Sequence, residues 1–107
     1  MREPVRKQLI DALRSGKYQH FTGALRCGDC FCALGVLCDI SNLGNWRQGR
    51  YVVNDTVRST SCIPPDPVLK WADLPYEEMD RIWEKNDRYS SYDAVIRHLE
   101  CQQETKS

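Results

Sequence analysis

Long apolar runs are missing from this chain of 107 residues. The longest, Phe31–Leu37, falls well short of the ~20 residues that a membrane helix needs, so no membrane partner is expected. Net charge is missing too. Fifteen Lys and Arg balance fifteen Asp and Glu, which argues against a protein that grips nucleic acid by neutralising phosphates. No apolar stretch follows the charges of Met1-Arg2-Glu3-Pro4-Val5-Arg6-Lys7, so no signal peptide is expected and the expected location is cytoplasmic. Histidine is scarce, with only His20 and His98. Neither lies near a Gly-x-Ser-x-Gly string, and no Gly-x-x-x-x-Gly-Lys or Gly-x-Gly-x-x-Gly loop is present to cradle a phosphate. Internal repeats and low-complexity stretches are absent.

What is present fits one soluble globular domain over 1–107, with a polar tail at 102–107 expected to fray. Hydrophobic residues make up 41% and charged residues 28%, enough for a modest core. The balanced charge is unevenly spread. Residues 1–58 carry nine Lys/Arg against five Asp/Glu, and residues 59–107 carry six against ten. Two such halves attract each other; a basic face of Arg26, Arg47, Arg50 and Arg58 is the alternative reading.

Periodicity gives the elements. Val5, Leu9, Ala12 and Leu13 form a helical stripe, with Pro4 in the first turn and Gly16 as a left-handed stop, predicting a helix over 4–15. Tyr18 to Arg26 reads as irregular or short strand. Phe31-Cys-Ala-Leu-Gly-Val-Leu-Cys38 is apolar throughout, so periodicity does not separate buried strand from buried helix, and Asp29 as N-cap favours a buried helix over 30–40. Gly35 inside that helix costs about 1 kcal/mol relative to Ala, so another backbone is expected to pass close to it. Trp46, Tyr51, Val52, Val53, Thr56 and Val57 are strand formers around a Gln48-Gly49 turn, predicting a hairpin over about 45–57. Asp66-Pro67 reads as N-cap and first helical residue. Pro75 opens another helix with Tyr76, Met79, Ile82 and Trp83 as its stripe. Ser90-Ser91-Tyr92-Asp93 resembles a capping box before Tyr92, Val95, Ile96 and Leu99. The expected fold is α+β: four to five short helices packed around the central helix, with one small hairpin.

Several strings resemble a widespread family of small uncharacterised proteins of bacteriophages and prophages. They are Ala12-Leu-Arg-Ser-Gly-Lys-Tyr-Gln19, Gly23-Ala-Leu25, Phe31-Cys-Ala-Leu-Gly-Val-Leu-Cys-Asp39, Ile63-Pro64 through Trp71, and Asn86-Asp87 before a final amphipathic helix. The resemblance covers roughly 8–100 and is weakest over 41–62. Where that family has Asn-Asp-x-Gly-x-Ser-Phe, this chain has Asn86-Asp87-Arg-Tyr-Ser-Ser-Tyr92, without the glycine. The resemblance implies a phage setting and an accessory or counter-defence role, and supplies no catalytic residue.

Three constellations carry chemistry. Cys27-Gly-Asp-Cys30, with Cys32 and His20 nearby, has the spacing of a tetrahedral zinc site, but lacks the second Cys-x-x-Cys of a zinc ribbon. Buried or incidental thiols are the simpler reading, so no cofactor is expected and zinc is the alternative. The same dithiol placed before a helix would be activated by the helix dipole, with Ile63-Pro64 opposite it. Ala24-Leu25-Arg26 is too short for the central strand such an enzyme needs. The third is aromatic: Trp71 and Trp83 lie on helical stripes and read as core, whereas Trp46, Arg47, Arg50 and Tyr51 lie across a hairpin turn. On a two-residue turn the arginines share one face and the aromatics the other, and only one face can pack on the core. The expectation is therefore a non-catalytic protein that binds through Trp46, Arg47, Arg50 and Tyr51, with Tyr18, Gln19, Asn86 and Asp87 as a second surface. The expected target is a host protein or complex, with a small nucleotide signal, or a zinc- or thiol-dependent activity at Cys27-x-x-Cys30, as the alternatives; a homo-oligomer stays open.

Overall fold

A computed structural model describes residues 1–54 and 61–101. The first helix forms where the apolar stripe predicts it. α1 runs Glu3–Arg14 with Pro4 in its first turn, and Val5, Leu9, Ile10 and Leu13 point into the core. Arg6 is buried beside them. Its guanidinium pairs with Glu3 and donates to the Leu99 carbonyl at 3.0 Å. That carbonyl lies in the last turn of α5, Asp93–Cys101, where a cation meets the negative end of a helix dipole.

The chain after α1 forms three two-residue strands: β1 Gln19–His20, β2 Arg26–Cys27 and β3 Cys30–Phe31. β3 is central, parallel to β1 and antiparallel to β2. The segment 30–40 is therefore not one helix. Strand pairing holds the chain as far as Phe31, and α2 runs Ala33–Ser41. Its N-cap is Cys32, not Asp29: the Cys32 sulfur accepts the Gly35 N–H at 3.3 Å. Asp29 sits in the turn before β3, too far upstream to cap.

α2 is the centre of the molecule. Every residue from Ala33 to Cys38 is buried, Leu34 at 1% exposure. The close backbone expected at Gly35 is that of Leu25. A Cβ at Gly35 would stand 1.9 Å from the Leu25 carbonyl oxygen and 2.8 Å from its carbon. Leu25 has little room to retreat: its N–H donates to the Ser61 carbonyl at 2.7 Å, and its own carbonyl accepts the Cys32 N–H at 3.1 Å.

The hairpin forms in the predicted register but is shorter. β4, Asn45–Arg47, pairs with β5, Arg50–Val52, with Trp46 opposite Tyr51 and Arg47 opposite Arg50. Pairing ends at Val52, and Thr56, Val57 and Arg58 lie outside the described residues, as does the tail 102–107.

Three helices close the core. α3, Asp66–Ala72, is capped by Pro65, so Asp66 is its first residue, one position earlier than the Asp66-Pro67 reading. α4, Tyr76–Arg88, buries Met79 and Ile82, while Trp83 packs partly against the core. Tyr76 leaves the predicted stripe; it is 59% exposed and its hydroxyl donates to Asp66 at 2.9 Å. The expected capping box is replaced by a shorter contact, in which Ser91 Oγ accepts the Asp93 N–H at 3.3 Å. Tyr92 precedes α5 and is buried, its hydroxyl donating to the Phe31 carbonyl at 2.6 Å. α2 packs on α1, α3 and α4, and α5 packs on α1 and α4. The fold is α+β, and no helix among the described residues is long and apolar enough to cross a membrane.

Helix propensity and packing pull in opposite directions at Gly35. Propensity favours Gly35→Ala by about 1 kcal/mol, whereas overpacking against a pinned backbone costs about 1–3 kcal/mol or more. A net loss of stability on denaturant unfolding is expected; a stabilised variant would show that Leu25 does not lie against α2.

Candidate binding surface

The two hairpins stand side by side, and one arginine fills the seam between them. The Arg26 guanidinium carbon lies 4.8 Å from the Phe31 ring centroid and 5.3 Å from that of Trp46. Its Nε donates to the Gly28 carbonyl at 2.7 Å, which fixes the guanidinium over the rings. The rings meet edge to face: Tyr18 on Phe31 at 4.9 Å, Phe31 on Trp46 at 5.7 Å and Trp46 on Tyr51 at 5.0 Å. Such pairs contribute about 0.5–1.5 kcal/mol each beyond burial. A shallow groove of about 480 Å³ follows the seam, lined by Arg26, Cys27, Gly28, Trp46, Gln48 and Gly49.

Asp39, in the last turns of α2, anchors this wall. Its two carboxylate oxygens accept the Tyr18 hydroxyl at 2.6 Å and the Trp46 indole N–H at 3.0 Å. Burial, then the Asp39 hydrogen bond and charge, raise the Tyr18 pKa well above its ordinary value. Asp39 belongs to the apolar string already singled out, yet its role was not readable there. Only the fold brings Tyr18 and Trp46 to either side of it.

The structure places the eight expected site residues unequally. Arg47 and Arg50 are exposed and opposed on one face of the hairpin. Tyr51, on the other face, is 2% exposed. Its hydroxyl accepts the Gly44 N–H at 2.8 Å and lies 3.3 Å from Ser41 Oγ, so Tyr51 is a core residue and not a contact for a partner. Trp46 is half-buried and committed to Asp39, Phe31 and Tyr51. Asn86 is fully buried, which removes it from any surface. Tyr18 is half-buried on Asp39, and of the second group only Gln19 and Asp87 are exposed. The expected basic face is also divided. Arg26, on β2, lies against the Phe31 and Trp46 rings, whereas alternation along β4 and β5 puts Arg47 and Arg50 on the face opposite Trp46 and Tyr51.

The four zinc candidates do not converge on one point. Cys32 caps α2, and His20 Nε2 lies 2.9 Å from the Asn86 carbonyl with its ring against Tyr92. Cys27 and Cys30 face each other across a β-turn rather than heading a helix, so the dipole invoked for a reactive dithiol is absent at that position. No group of three or more His, Cys, Asp or Glu among the described residues is arranged to hold a metal. His98 is half-buried, with Nε2 at 2.6 Å from Glu78.

The turn that presents the arginines is strained at one position. Gln48 and Gly49 both have positive φ, 52° and 81°, the pattern of a type I′ turn. Asn tolerates that region better than Gln because its short side chain hydrogen-bonds locally. Gln48→Asn is expected to stabilise the protein by up to about 1 kcal/mol, measured by denaturant unfolding. A loss of stability would contradict this turn geometry.

No curated protein and no solved structure matches this chain. A family's sequence model does, over nearly its whole length. The chain belongs to the family described as Domain of unknown function (DUF8296), matched over residues 1–104.

Proposed function

We propose that this is a non-catalytic binding protein of phage origin that acts in the host cytoplasm by engaging and inhibiting a host defence protein or complex. The observation that carries the reading is the Arg47–Arg50 pair. The two side chains are opposed and exposed at a hairpin tip whose reverse face is locked into the core through Trp46 and Tyr51. Arginines held on a rigid support lose little entropy on binding and pair bidentately with carboxylates, so the surface fits an acidic patch on a protein. The resemblance of its strings to phage and prophage proteins supports the setting.

A protein target is favoured over a nucleotide by the position of Arg26. It already lies over the Phe31 and Trp46 rings, where a base would stack. The arginine face on the other side offers charge without an aromatic platform.

The test is native mass spectrometry of tagged protein purified from infected cells. The wild type is expected to carry a host protein, and Arg47→Ala with Arg50→Ala to lose it, with circular dichroism and melting temperature close to wild type. A bound nucleotide in place of a protein, or an unaffected double variant, would overturn the reading.

A further inference from the structure

Cys27 and Cys30 flank the Gly28-Asp29 turn and are direct cross-strand partners in the antiparallel β2–β3 ladder. Opposed residues in such a ladder have Cα atoms about 4.5–5.5 Å apart. That separation falls within the window in which two cysteines can be bridged without moving the backbone, about 4.4–6.8 Å. Partners across a ladder also share a face, so both thiols stand on the same side of the hairpin. Cys27 is exposed and Cys30 partly so. The face they share also carries Gln19, paired to Cys30 from β1, whose Oε1 lies 3.6 Å from the Cys30 sulfur.

The two core cysteines offer a contrast. Cys32 and Cys38 are buried, and burial pushes the Cys32 thiol up to about 11 and the Cys38 thiol well above its ordinary range. Both stay protonated and out of reach of reagents at neutral pH.

We propose that Cys27 and Cys30 form a modification site: a dithiol that is reversibly closed to a disulfide by a low-molecular-weight disulfide of the glutathione type. The more exposed Cys27, as thiolate, attacks one sulfur of the oxidant, breaking its S–S bond and releasing one thiolate, which takes up a proton. Cys30 then gives up its proton and attacks the Cys27 sulfur of the mixed disulfide, releasing the second small thiol. Two protein thiols are oxidised and one small disulfide is reduced to two thiols. A bridge enclosing only Gly28 and Asp29 gains little from loop entropy, and exposed bridges of this kind are readily reduced, so the reaction runs in both directions with the thiol poise. The site is independent of the partner reading, because the arginine pair lies on the other hairpin.

The test is incubation of the full chain with graded ratios of oxidised to reduced glutathione, followed by intact-mass measurement and peptide mapping. Oxidation is expected to give a monomer lighter by two hydrogens, with one bridge joining Cys27 to Cys30 and no modification of Cys32 or Cys38. Cys30→Ser is expected to stop at one glutathione on Cys27. The proposal is overturned if Cys27 bridges to Cys62 instead, or if Cys27 and Cys30 stay reduced while the exposed Cys101 is glutathionylated.

Discussion

The buried amide of Asn86 holds together the parts that everything else rests on. It is fully enclosed in α4, and each of its polar atoms has a partner. Oδ1 accepts the N–H of Ala33, the first residue of α2, at 3.0 Å, while Nδ2 donates to the Phe21 carbonyl at 2.9 Å and to Asp87 at 3.0 Å. The Asn86 main-chain carbonyl meets His20. One side chain thereby ties the start of the central helix, the small sheet and α4. An unpartnered buried polar group costs about 1–3 kcal/mol, so this junction tolerates only a group with one acceptor and two donors in the same places.

Consequences run outward from there. With the start of α2 fixed, Gly35 seats against Leu25 and Asp39 comes up between Tyr18 and Trp46. Those two contacts orient the aromatic wall, the wall buries Tyr51, and the hairpin is left showing Arg47 and Arg50. The rigidity of the proposed binding tip thus originates in a hydrogen-bonded junction in another part of the fold. The strings that carry the resemblance include the Asn86-Asp87 pair and the Phe31–Asp39 run. In this structure Asn86 serves the junction and Ala33–Cys38 the core, while Asp87 stays exposed beside Asn86.

Local patterns were legible where local physics decides. The α1 stripe, the close approach at Gly35 and the Trp46–Tyr51 register all follow from spacing or from a glycine placed where its cost needs a reason. Sequence reasoning failed where the deciding partner is distant along the chain. Asp29 looked like a cap because nothing local reveals that β1 and β2 hold Cys30 and Phe31 in a sheet. Asn86 reads as part of a surface, and nothing local marks Arg6 as buried, since polar side chains on a helix are usually solvated. Their burial depends on Ala33, Phe21 and Leu99, none of them neighbours in sequence. Alternation predicted that the arginines and aromatics would occupy opposite faces, but it could not say which face would be buried.

The most direct test of the junction is the stability of Asn86→Asp at neutral pH, measured by denaturant unfolding. The replacement keeps the shape and one acceptor but removes both donors and introduces a charge into a fully buried place. The account predicts a loss of about 3 kcal/mol or more. A change within about 0.5 kcal/mol, as surface substitutions give, would contradict it.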